Sequence, residues 1–178
     1  MTMHWIATGT GNGSSPAIDF QNIPQTFSHL RLHVYARSAY AGTTGSLGLY
    51  FNNDTTSGTY FIHNVYGDGS TVYQAGTVNN QFTTYNVRPS GSTALSNTFG
   101  CFIYDFLDYT AAKNKNIQCI GGLDNNTTTG VNTVGTISGT WNSTSAINRL
   151  TLTTETAWAS GTRMDLYGIT SNPIATGA

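Results

Sequence analysis

The sequence predicts an all-β protein, a two-sheet antiparallel β-sandwich with jelly-roll-like connections. Thr, Ser, Asn and Gly make up close to half of the 178 residues, and aromatics reach 12%. Thr, Tyr, Phe and Val favour strands, whereas Gly and Asn favour the turns between them. Helix formers are scarce: Glu155 is the one Glu, and Lys113 and Lys115 are the two Lys. Candidate strands recur at short spacing between Gly/Asn/Ser/Thr clusters, the pattern of a sandwich rather than of alternating strands and helices.

Taken in order, a strand around Trp5 is followed by another at Ile18–Phe20. Leu30 to Ala36 alternates fully, with Leu30, Leu32, Val34 and Ala36 on one side and Arg31, His33 and Tyr35 on the other. That is the period-two signature of a half-buried strand. Leu47, Leu49 and Phe51 share a face of the next strand, and Tyr60 to Tyr66 ends at the turn Gly67-Asp68-Gly69. Weaker strands run through Thr71–Ala75 and Phe82–Val87. Phe99 to Leu107 is apolar on both faces. Asn116 to Leu123, Thr133 to Trp141, Ile147 to Thr154 and Arg163 to Ile169 complete the set. The place for a helical turn is Tyr109 to Asn114. Residues 1–15 read as an N-terminal arm or edge strand, 16–171 as the sandwich and 172–178 as a short tail. Gly9 to Gly13 would be the hinge that lets Trp5 dock on its own domain or on a partner.

A hairpin centred on Thr110 would pair Asp105 with Lys115, Ile103 with Ile117 and Cys101 with Cys119, all sensible neighbours for directly opposed residues. The cysteines would then be either bonded or two buried thiols. Strands with one face toward solvent rarely carry apolar residues on both. Phe102, Tyr104 and Phe106 are therefore, with Trp5, candidates for a subunit interface.

Charged residues are only 8% of the chain, and the formal net charge is −1. That balance excludes a general phosphate-binding nucleic-acid protein, which needs clustered cations. No apolar run approaches the length of a spanning helix, so no membrane insertion is expected, and no signal peptide is visible. Glycoside hydrolysis usually needs two carboxylates at a set separation, but Glu155 sits among Thr residues and the Asp residues fall in turns and strands. His4, His29, His33 and His63 accompany no nucleophile-elbow sequence, and no Cys/His spacing matches a zinc site. The chain is thus expected not to be an enzyme and to need no cofactor. Asn52-Asn53-Asp54 and Asp124-Asn125-Asn126 could ligate calcium or simply form turns. Asn53, Asn126 and Asn142 begin Asn-x-Ser/Thr triplets, common by chance in such a composition. Tyr35, Tyr50 and Trp141 are the leading candidates for stacking on a sugar.

Ile18-Asp-Phe-Gln-Asn-Ile-Pro-Gln-Thr-Phe27, His29-Leu-Arg-Leu32, Leu49-Tyr-Phe-Asn-Asn-Asp54, Tyr66-Gly-Asp-Gly-Ser70, Asn97-Thr-Phe-Gly100, Ile147-Asn-Arg-Leu-Thr-Leu152 and Leu166-Tyr-Gly-Ile169 occur in this order. Together, over roughly residues 18 to 169, they resemble small jelly-roll virion structural proteins of tailed bacteriophages, a decoration and fibre-associated group. The resemblance implies a capsid decoration (cement) protein, or alternatively a tail-fibre or head-fibre adhesin binding host glycan. It further implies a homo-oligomer, by preference a trimer, that contacts other virion proteins such as the major capsid protein and is assembled in the host cytoplasm. It carries no catalytic residues.

Overall fold

The computed structural model describes residues 2–84, 87–125 and 132–170. Its strands are β1 (Thr2–Thr10), β2 (Ala17–Phe20), β3 (His29–Ala36), β4 (Gly48–Phe51), β5 (Tyr60–Gly67), β6 (Val72–Asn79), β7 (Phe82–Thr83), β8 (Gly100–Phe106), β9 (Lys115–Leu123), β10 (Thr133–Trp141), β11 (Leu150–Thr153) and β12 (Arg163–Thr170). They form an eight-stranded sheet in the order β1-β12-β3-β8-β9-β10-β5-β6 and a four-stranded sheet in the order β2-β11-β4-β7. Every pair of neighbouring strands is antiparallel. The fold class matches the sequence pattern: two sheets face each other across one core.

The apolar sets of β3, β4 and β11 meet in that core, with Leu30, Leu32, Leu49, Phe51, Leu150 and Leu152 fully buried. Phe51 lies among three rings, 5.4 Å from Phe106, 5.3 Å from Trp141 and 6.2 Å from Tyr60. Burying each such side chain contributes roughly 1.5–3 kcal/mol. The Tyr60 hydroxyl accepts from the Phe51 N–H at 2.9 Å, so this buried polar group is satisfied.

Three expectations are corrected. Phe102, Tyr104 and Phe106 face the small sheet and are buried, so they are core residues rather than interface residues. The outward face of β8 is Cys101, Ile103 and Asp105. Second, β8 and β9 pair in a different register: Asp105 lies opposite Gln118, Ile103 opposite Ile120, and Tyr104 opposite Cys119. The connecting loop is not a tight hairpin. Asp108 takes a left-handed φ of 49°, Tyr109 is buried with its hydroxyl donating to the Pro24 carbonyl, and the Lys115 amine turns back onto the carbonyls of Ala111 and Lys113. This loop holds turns and no helix. Cys101 is consequently exposed on one face and Cys119 buried on the other, and both are free thiols. Third, Gly9 to Gly13 is no hinge; of the two readings of residues 1–15, arm or edge strand, the structure has the edge strand. Gly9 pairs with Met164, and the N–H groups of Gly11 and Gly13 donate to the carbonyls of Thr162 and Trp158 at 3.0 and 2.9 Å. The tail, 172–178, lies outside the described residues.

Candidate interaction surface

The small sheet covers one face of the large sheet, leaving the opposite face open. Alternation places on that open face Arg163, Asp165 and Tyr167 of β12, Arg31, His33 and Tyr35 of β3, and Cys101, Ile103 and Asp105 of β8. It continues through Ile120 of β9, Val134 and Thr136 of β10, Phe61, His63 and Val65 of β5, and Val72, Gln74 and Val78 of β6.

This face has two halves of different chemistry. The β12-β3-β8 half carries the charges, all paired. Arg31 donates to Asp105 through Nε and Nη2 at 2.7 and 2.8 Å. Arg163 Nε donates to Asp165 at 2.8 Å, and the Thr8 hydroxyl also donates to Asp165. Burial works to raise the Asp165 carboxyl, but these hydrogen bonds and the Arg163 charge hold it below the ordinary carboxylate value. Between them lies an open groove of about 310 Å³ lined by His33, Tyr35, Cys101, Ile103, Arg163 and Asp165. Tyr35 stacks on Phe99 at 4.4 Å, and His33 Nε2 is buried with no hydrogen-bond partner among the described residues.

The β9-β10-β5-β6 half carries no Asp, Glu, Lys or Arg on its open face. Ile120, Val134, Val65 and Val72 form an apolar patch there, with Val134 65% and Val72 76% exposed. Thr136 sits opposite both Ile120 and Val65, which brings residues far apart in sequence side by side. A larger hollow of about 490 Å³ lies between Gly67–Gly69 and the ends of β9 and β10.

The other site candidates fall at the rim of this face or against the core. Trp5 is 64% exposed on the edge strand, opposite Tyr167, with its indole N–H donating to Thr8. Tyr50 is half-buried against the core. Trp141 is buried, and its indole N–H donates to Asp54 at 2.6 Å, so it is no sugar platform. Of the three glycan candidates, Tyr35 lines the groove between β3, β8 and β12.

The oxygen-rich turn at Asn52 is a structural brace. Asn52 accepts from the N–H groups of Asn148 and Arg149 and donates to the Ala146 carbonyl. Glu155 braces another loop, accepting from Ser46 and Thr154. Among the described residues, no three His, Cys, Asp or Glu side chains are grouped to hold a metal ion. Compared with protein-family models, with curated proteins and with solved structures, the chain matches none of them.

Proposed function

We propose that the chain is a structural protein of a bacteriophage particle, a decoration protein on the capsid exterior that works by protein–protein association. The observation that carries this reading is the uncharged, apolar half of the open sheet face. Contiguous exposed apolar patches mark association surfaces. Covering this one removes Ile120, Val134, Val65 and Val72 from water with no ionised group to desolvate, so the cost that buried charges impose is absent.

Strand order supports the same reading. The chain alternates between the sheets, with β2, β4, β7 and β11 in one and β3, β5–β6, β8–β10 and β12 in the other. The small sheet's order, and β3 and β5–β6 flanking β8–β10, follow the interleaving of an eight-stranded jelly roll whose seventh strand has expanded into the three-stranded meander β8–β10. Viral capsid and lectin domains use that architecture. The Tyr35 groove favours the second reading, a fibre adhesin holding host glycan. Quantitative mass spectrometry of particles purified from the phage that encodes the chain separates the two. Copy number scaling with the capsid lattice supports decoration, copy number matching the fibres supports the adhesin, and absence from the particle overturns both.

A further inference from the structure

We infer that two copies of this chain join through β6, edge to edge, into one continuous sheet. This goes beyond the proposed role and holds wherever the protein resides. An edge strand exposes a row of unpaired N–H and C=O groups, and natural sheets blunt such edges with charge, proline, bulges or shortness. The described edges differ in just these devices. β1 is bulged, its register slipping between Trp5 and Ala7. In the small sheet, β2 has four residues and β7 two. β6 has eight residues, Val-Tyr-Gln-Ala-Gly-Thr-Val-Asn, with no charge, no proline and an unbroken register against β5.

Its free side can be assigned. The Asp68 N–H donates to the Thr71 carbonyl at 3.2 Å, which starts the ladder. Antiparallel pairs alternate between hydrogen-bonded and non-hydrogen-bonded. Tyr73, Ala75 and Thr77 therefore bond to β5, while Val72, Gln74, Gly76 and Val78 direct their N–H and C=O groups outward. A second β6, antiparallel and related by a two-fold axis at Ala75, meets those groups with its own. Val72 then faces Val78 of the second copy, Tyr73 faces Thr77, Gln74 faces Gly76 and Ala75 faces Ala75. The two exposed valines, at 76% and 52%, cover each other twice. Only Ala75 meets its own image, and with no charged residue on β6 the pairing sets no like charges opposite each other. The apolar halves of the two open faces become one strip.

Sedimentation equilibrium of the purified chain tests this. The wild type is expected to be a dimer. Gln74→Pro removes an outward N–H while leaving the β5 ladder intact, and it should weaken dimerisation at least about tenfold, as should Val72→Lys paired with Val78→Lys. Val134→Lys, in the apolar half but away from the edge, should leave the dimer unchanged. In a Cys101→Ser background, Ala75→Cys should cross-link under mild oxidation and Thr77→Cys should not. A wild type that stays monomeric at high micromolar concentration overturns the inference. So does a dimer that survives both edge variants, or one that Ala75→Cys fails to link.

Discussion

Replacing neighbouring residues of β8 distinguishes its two faces by energy. Phe102 is 1% exposed and packs into the core, whereas Ile103 lies on the open face beside the groove. Phe102→Ala loses the transfer energy of a benzyl group and leaves a cavity, together about 3–5 kcal/mol. For a chain of this size that lowers Tm by roughly 6–20 °C, at about 2–4 °C per kcal/mol. Ile103→Ala should stay within about 1 kcal/mol, since substitutions away from the core change little. The void can be probed from across the sheet. Gly121 lies opposite Phe102, and a Cβ added there would stand 2.3 Å from Phe102 Cδ1 and 2.8 Å from the Cys101 carbonyl oxygen. Gly121→Ala alone should cost about 1–3 kcal/mol by overpacking. In the Phe102→Ala background the ring clash vanishes while the carbonyl contact persists, so the two losses should be markedly less than additive. Guanidinium unfolding followed by far-UV circular dichroism measures all four members of the cycle. Equal losses for Phe102→Ala and Ile103→Ala, or simple additivity with Gly121→Ala, would refute the assigned faces.

Three further outcomes are expected. A thiol reagent should modify Cys101 in the native protein and reach Cys119 only after unfolding, because burial shields the Cys119 sulfur and pushes its thiol up; mass spectrometry of labelled peptides reads this directly. Trp5→Phe should remove the red-shifted, acrylamide-quenchable part of the emission and change stability by less than about 0.5 kcal/mol, since Trp141 and Trp158 are buried. Acid should destabilise the fold through Asp19. Burial works to raise its carboxyl, but the hydrogen bonds from Arg149, Gln21 and Thr151 more than offset this and hold it below the ordinary value. The folded state thus binds that proton less readily than the unfolded chain. The associated stability is present above about pH 4 and is lost as pH falls through the lowered value. Asp19→Asn should flatten that part of the acid-unfolding curve, and an unchanged slope would show that Asp19 does not contribute.

Fold class was legible because it rests on local patterning. Leu30, Leu32 and Val34 alternate with polar residues, and one strand declares its own core face. β8 makes no such declaration. Phe102, Tyr104 and Phe106 on one side and Cys101 and Ile103 on the other are all compatible with burial, and the choice is made by neighbours. Gly121 leaves room for the Phe102 ring on the inner side, and the long Asp108–Asn114 connection sets the β9 register by an offset that no hairpin rule supplies. The apolar half of the open face was hidden for a related reason. It draws one or two residues each from β9, β10, β5 and β6, strands whose adjacency is a property of the sheet order. Composition nevertheless foreshadowed its character. With charges at 8% of the chain and the Arg–Asp ion pairs of the large sheet on β3, β8 and β12, the open face and the last edge of the β9-to-β6 half carry none. The same scarcity that leaves Val72 and Val134 exposed leaves β6 unprotected, so an apolar face and an open edge occur together at one side of one sheet.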